Sequence, residues 1–401
     1  MCSTEQKGSE GMFVQLICKD RNQSEMNELY EVIGALCKRE GIQAEDRLSH
    51  VEVLVCPQGK ILVTEDDKDL ILSANTRHAG PGFHAFVVDF FQDIEEELPG
   101  EYELNDDLEF TKDGDFHRLE HMYENELDYI RKLIRQDPGF KNRNYLFDET
   151  YYLPVAGEDK VLTSAGEMNK EEFESKALDD LMDYFYVWND YDRDARFYRN
   201  AALTLLAKEG YGQFSMMNET TEKYANEVVD YLQIAHELDP KLPLPLDAYN
   251  QLCTLLNREN KLKDATNMDR EATLYRTREV YHLFEDARIV APGTAERSYD
   301  PVTQSMNLMA PYTEESEWSW LIQASKQPSI VSDLKALQEA EPEHLPNGNI
   351  CYMDAYSEEG LPAVDAILQH GEKILYVHAL ARTQKELNAI EKDIKRSGFV
   401  E

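Results

Sequence analysis

The stretch Asp69–Leu98, DLILSANTRHAGPGFHAFVVDFFQDIEEEL, limits the folds open to this chain more than any other. It reads as a short buried strand, Asp69–Ala74, then a turn carrying Arg77 and His78 before Gly80-Pro81-Gly82. A strongly apolar helix, Phe83–Leu98, follows and is stopped by Pro99-Gly100. The segments before it supply the partners. Met12–Lys19 alternates like a strand, and Gln23–Arg39 places Met26, Leu29, Ile33 and Leu36 on one helical stripe, with Ser24 near its start as the cap. His50–Cys56 and Lys60–Thr64 flank Pro57-Gln58-Gly59, which reads as a tight hairpin. The order β-α-β-β-β-α is that of a small two-layer α+β domain.

After a short strand at Glu101–Leu104, a helix from about Asp115 to Gln136 carries the stripe Phe116, Leu119, Tyr123, Leu127, Ile130 and Ile134. Asp137-Pro138-Gly139 stops it, and the polar KNRN segment after Phe140 marks a first domain boundary, so residues 1–144 form one unit. Leu146–Val155 reads as a lone strand or a tether. From Lys170 to about Ala272 the pattern is helical throughout, which makes residues 145–275 an all-helical middle domain. In the third unit, residues 276–401, the period returns toward two. Arg278–Val290 and the alternating Trp318, Trp320 and Ile322 read as strands, and Pro328 opens a helix to Ala340. Ile350–Tyr356, Pro362–His370, Ile374–Leu380 and Thr383–Arg396 then read strand, helix, strand, helix. Pro362 suits the first position of a helix and Gly371 its end, compatible with a right-handed parallel crossover. The fold class expected is α+β, helical in the middle.

Within the middle domain, Ala235 is followed by Leu238-Asp239-Pro240, and Tyr249, Leu252, Cys253, Leu256, Ala265 and Ala272 come next. This large, large, small, large, small, small series resembles the tetratricopeptide repeat. The resemblance covers about one and a half to two units within residues 194–272 and implies paired helices whose small residues permit close approach. A generic helical hairpin carries the same residues.

Net charge bounds the partners. With 78 acidic against 41 basic residues the chain carries −37, a balance that repels phosphate backbones and anionic lipid heads. A nucleic acid or a membrane is therefore not an expected partner, except that an acidic protein can mimic nucleic acid toward a basic one. No apolar run approaches the roughly 20 residues that span a bilayer, and MCSTEQKGSEG has no basic-then-apolar leader pattern. Cys2, Cys18, Cys37, Cys56, Cys253 and Cys351 form no C-x-x-C pair, and Cys18 and Cys56 in strand-like runs and Cys37 and Cys253 in helical ones read as small buried apolar residues. A soluble, cytoplasmic protein is the expectation.

Three constellations could carry function. At the glycine turn, free N–H groups opening a helix could meet an anion, with Arg77, His78, Gly80, Gly82 and His84 as the ligand-binding set. The turn lacks the fingerprints of dinucleotide-binding or P-loop sites, and the same residues also make a plain strand-to-helix turn. In His117-Arg118-Leu119-Glu120-His121 the two histidines share a helix face, and the string matches the H-x-x-E-H motif of inverzincins. Such peptidases resemble one another in taking a third ligand, a glutamate, further along. Here only Asp192 and Asp194 stand in that region, and a solvated helix face explains the same residues. Lastly, Tyr184, Tyr186, Trp188 and Tyr191 could anchor a protein partner or pack between helices. No catalytic nucleophile with its base is evident, and no cofactor is expected. The reading is a non-enzymatic interaction or adaptor protein for a partner with a basic surface. An enzyme or sensor at Arg77–His84 and a metal-dependent hydrolase at His117, Glu120 and His121 are the alternatives.

Overall fold

The computed structural model describes residues 11–136, 153–154, 160–163, 165–209, 219–269, 279–293, 295–310 and 319–399. Residues 146–152, Ala272, Trp318 and Cys2, which entered the sequence reading, lie outside them. The chain is α+β, with a sheet-and-helix region at the N-terminus and a sheet-rich region at the C-terminus.

The first region comprises β1 (Phe13–Lys19), α1 (Gln23–Glu40), β2 (Gln43–Asp46), β3 (Val51–Cys56), β4 (Gly59–Asp66), β5 (Asp69–Asn75), α2 (Pro81–Glu97), β6 (Glu101–Asp106), α3 (Phe110–Asp113) and α4 (Phe116–Gln136). Its sheet runs β2-β3-β4-β5-β1-β6 with every pair antiparallel. Alternation along β1 buries Val14, Leu16 and Cys18, and α1 buries the expected Met26, Leu29, Ile33 and Leu36 together with Cys37. Each such large side chain contributes roughly 1.5–3 kcal/mol by leaving water. The cap of α1 is Asn22 rather than Ser24. Asn22 Oδ1 accepts from the N–H groups of Ser24 and Glu25 while Glu25 returns a bond to Asn22, a reciprocal capping box that leaves Ser24 inside the first turn.

The middle region comprises β7 (Leu153–Pro154), β8 (Lys160–Thr163), β9 (Gly166–Asn169), α5 (Lys170–Ser175), α6 (Leu178–Phe185), α7 (Ala195–Glu209), α8 (Glu219–Leu238) and α9 (Leu246–Leu255). The first apolar core continues from the N-terminal sheet through Leu119, Tyr123 and Leu127 into Phe173, Leu181, Tyr186, Trp188 and Phe197, so the two regions share it. A separate core joins α7, α8 and α9 and buries Ala235, Tyr249, Leu252 and Cys253, residues of the repeat-like series. The series is not completed as a helical hairpin. Asn257 adopts a positive φ of 52°, Asn260 Oδ1 takes the Leu262 N–H, and the chain turns back so that Leu244 bridges Asn267. Ala265 therefore lies in irregular backbone rather than on a second helix.

The last region comprises β10 (Glu279–Phe284), β11 (Ala287–Pro292), β12 (Glu296–Asp300), β13 (Ser305–Met309), β14 (Trp320–Ser325), α10 (Leu334–Glu339), β15 (Glu343–His344), β16 (Ile350–Glu358), β17 (Leu361–His370), β18 (Lys373–Ala381), α11 (Gln384–Arg396) and β19 (Gly398–Phe399). A seven-stranded sheet runs β12-β13-β14-β18-β17-β16-β15, and a second runs β19-β11-β10-β7. Three expectations are corrected here. Residues 362–370 form a strand, not a helix, and β16-β17-β18 is an antiparallel meander rather than a parallel crossover. Ala363–Leu368 is buried at every position, as a central strand covered on both faces requires, and Glu359-Gly360 makes a two-residue turn with both φ positive. Pro362 and Gly371 belong to hairpin ends, not helix ends. The segment expected as one strand up to Val290 is the hairpin β10–β11, turned at Glu285-Asp286, because Glu285 takes φ 53°. Finally, Pro328 opens only a 3₁₀ turn, Pro328–Ile330, and the helix begins later at Leu334, where Asp333 caps it.

Candidate functional site

The turn at Gly80-Pro81-Gly82 is closed by the chain itself. The Gly82 N–H donates to Trp188 O at 3.0 Å, and the N–H groups of Val187 and Trp188 donate to Ala79 O at 3.1 and 2.8 Å. A Cβ on Gly82 would lie 2.1 Å from Trp188 Cδ1, and one on Gly80 would lie 2.4 Å from Trp188 O. Only glycine admits this approach. Segment 186–188 thus fills the space an anion would need. Arg77 is drawn away to an ion pair with Glu126, and His78 is half-buried.

His84 is fully buried and heads an internal chain of polar groups. Its Nε2 lies 3.0 Å from Asp106 Oδ1 and its Nδ1 2.8 Å from Thr76 Oγ1, which accepts from Tyr123 OH at 2.8 Å. Burial alone would push the Asp106 carboxyl up, yet His84 and the N–H groups of Thr111 and Leu108 hold it down at about 2. The order acid, imidazole, hydroxyl is that of a nucleophilic triad. Here Thr76 and His84 are wholly enclosed and no substrate reaches the hydroxyl.

The histidine pair of α4 faces water, with the His117 side chain 95% and the His121 side chain 71% exposed. Each turns to the acid three residues on, His117 Nδ1 to Glu120 at 3.5 Å and His121 Nδ1 to Glu124 at 2.8 Å. Asp194 instead caps α7 through the Phe197 N–H at 2.8 Å. Among the described residues no three His, Cys, Asp or Glu side chains could together hold a metal ion.

The aromatic run is largely internal. Tyr186 and Trp188 are buried, Tyr186 edge-on to Tyr123 at 5.3 Å and Trp188 4.9 Å from Phe197, so neither offers a surface to a partner. Tyr184 is half-buried under Lys176 Nζ at 5.3 Å. Tyr191 alone of the four is exposed, at 50%, and its hydroxyl donates to Asp89 at 2.5 Å.

The structure brings together a different group, which no local pattern announces. A cleft of about 480 Å³ opens between the β3–β4 hairpin with the end of α1 on one side and α7 with α8 on the other. Arg193 fixes α7 in place. Its Nη1 donates to Glu40 O at 3.2 Å, at the C-terminal end of α1, and its guanidinium lies 5.2, 5.0 and 5.9 Å from the rings of Phe86, Trp188 and Phe197. Lys223 fixes α8, reaching Gln43 Oε1 at 3.0 Å and Glu45 at 3.6 Å on β2. The walls include Phe197, Tyr198, Tyr224, Tyr231, Leu54 and Cys56. Cys56 is half-exposed, unlike the buried Cys18, Cys37, Cys253 and Cys351. Lys60 holds Glu52 at 2.8 Å, and together with Arg47 it brings that carboxyl to about 2 against burial. Burial pushes the Glu227 carboxyl up, with Lys223 opposing and Asp230 and Glu45 adding to the rise. Tyr231 is driven well up by burial and by Glu227. These residues come from segments far apart in sequence, and each alone reads as an ordinary surface or core position.

A second polar cluster, also silent in the sequence, sits on β16–β18. Asp365 receives the Ser332 N–H at 2.9 Å and the Ser332 hydroxyl at 2.6 Å, and lies 2.8 Å from His378 Nδ1. No family model, no curated protein and no solved structure matches this chain.

Proposed function

We propose that this chain acts by binding rather than by catalysis, as an acidic interaction protein whose partner presents a basic surface. The observation that carries the reading is the net charge of −37. A field of that size raises the encounter rate with a cationic surface and disfavours polyanions. The fates of the other candidates support it: the glycine turn is filled from within, the His84 chain is enclosed, and the histidine pair of α4 points to water. No helix among the described residues is long and apolar enough to cross a membrane.

Fluorescence anisotropy with labelled oligolysine and oligoglutamate tests the proposal. Oligolysine is expected to bind and oligoglutamate not, with association slowing steeply between about 50 and about 500 mM salt as the Debye length shortens. Binding of neither peptide, or oligolysine association indifferent to salt, removes the proposal.

A further inference from the structure

We propose that the cleft between the β3–β4 hairpin and the α7–α8 pair is a binding site for an organic ammonium group carried on an apolar stem, with Glu227 receiving the charge. The inference goes beyond the acidic-surface reading and rests on its own observations. A cleft of about 480 Å³ matches the size of small-ligand sites. Its three basic side chains are already engaged: Lys60 by Glu52, Lys223 by Gln43 and Glu45, and Arg193 by Glu40 O and three aromatic faces. Two of its acids are engaged as well, Glu52 by Lys60 and Arg47, and Glu40 by Arg39.

Glu227 differs. It lines the cleft half-buried and has neither a hydrogen bond nor an ion pair within the described residues. Lys223 acts on it only across space, being itself held by Gln43 and Glu45. A half-buried carboxylate with no direct bond is costly in the free protein and rewards a ligand that brings a cation to it. Around it stand Tyr198, Tyr224 and Tyr231, whose ring faces attract cations and whose apolar area suits a stem. An anion would find the lysines taken and the surrounding field against it. The same ammonium chemistry is offered by a lysine side chain of a partner and by a free alkylamine.

Calorimetric titration of the whole protein with tyramine and with its neutral isostere tyrosol tests the assignment. Tyramine is expected to bind about tenfold or more tighter, the weight of one charged hydrogen bond, and Glu227→Gln to bring it down to the tyrosol level. Bound tyramine is also expected to slow alkylation of Cys56, read by peptide-resolved mass spectrometry. Equal affinity for the two ligands, no tyramine binding, or an unchanged affinity in E227Q overturns the proposal. The comparison of two ligands on the unaltered protein needs no variant to fold. N-acetyl-lysine N-methylamide separates the sources: tighter binding than tyramine assigns the cleft to a partner's lysine, weaker binding to a free amine. Oligolysine binding that survives E227Q while tyramine binding is lost separates the cleft from the acidic surface.

Discussion

The two sheets each bury an aspartate against a histidine, and they do so differently. Against the N-terminal sheet, His84 of α2 and Asp106 of β6 are sealed, with side chains 0% and 1% exposed, and both ring nitrogens have partners inside the core. In the C-terminal sheet, the His378 side chain is 11% exposed, and its Nε2 looks outward to Glu358 at 3.5 Å. Asp106 ties β6 to α2 and to the start of α3, whereas Asp365 ties β17 to a surface segment through Ser332. The same two residue types thus hold a core together in one place and clip a loop in the other. Water access decides which, because an unpaired group can recover hydration only where solvent reaches it.

The largest expected effect is at the sealed couple. Asp106→Ala leaves His84 Nε2 unpaired in the core and takes the acceptor from the Thr111 and Leu108 N–H groups, and is expected to cost about 3–5 kcal/mol in urea unfolding. Since the carboxyl is held below its ordinary value, its contribution is present above about pH 4 and is lost as pH falls toward about 2. The variant's stability should be flatter across that acid window. Asp365→Ala should cost less, about 2 kcal/mol, because water can reach the exposed Ser332 and the edge of His378. Equal losses at the two sites would erase the contrast.

The smallest effect sharpens it through pH. Asp393 on α11 is pushed up to about 7, by burial first and then by Glu279, even though Arg396 stands 3.5 Å away. Arg396 is shared with Glu279, so its attraction does not offset the burial. A raised carboxyl contributes fully only below its ordinary value of about 4, and that contribution is lost as pH rises from there through about 7. Asp393→Asn is accordingly expected to unfold at higher urea than the unaltered protein at about pH 8, with the difference shrinking as pH falls and gone at about pH 4. A variant less stable at both values contradicts the sign.

Periodicity carried much of the fold. The α1 stripe Met26, Leu29, Ile33 and Leu36 and the α4 series Leu119, Tyr123, Leu127 and Ile130 are buried as their spacing requires. The hairpin at Pro57-Gln58 is also where its residues place it. Residues 362–370 misled because a short apolar run has no period of its own. Ala363–Leu368 is buried on both faces, which erases the alternation that marks a strand. The aromatic run from Tyr184 misled about function because large rings suit an interface and a core equally well.

What the amino-acid order determined by itself was the α+β class, the placing of most elements of the first region and the negative field, since these follow from local periods, turn residues and summed charge. The middle, expected all-helical, also holds β7, β8 and β9. Which polar groups meet was decided only by tertiary packing. Glu227, Tyr198 and Cys56 share a cleft because Arg193 and Lys223 hold α7 and α8 against the first sheet. His84 is silenced because Asp106, Thr76 and Tyr123 close around it. Interactions between side chains fall off within a few ångströms, and only the folded chain brings residues so distant in sequence to that range.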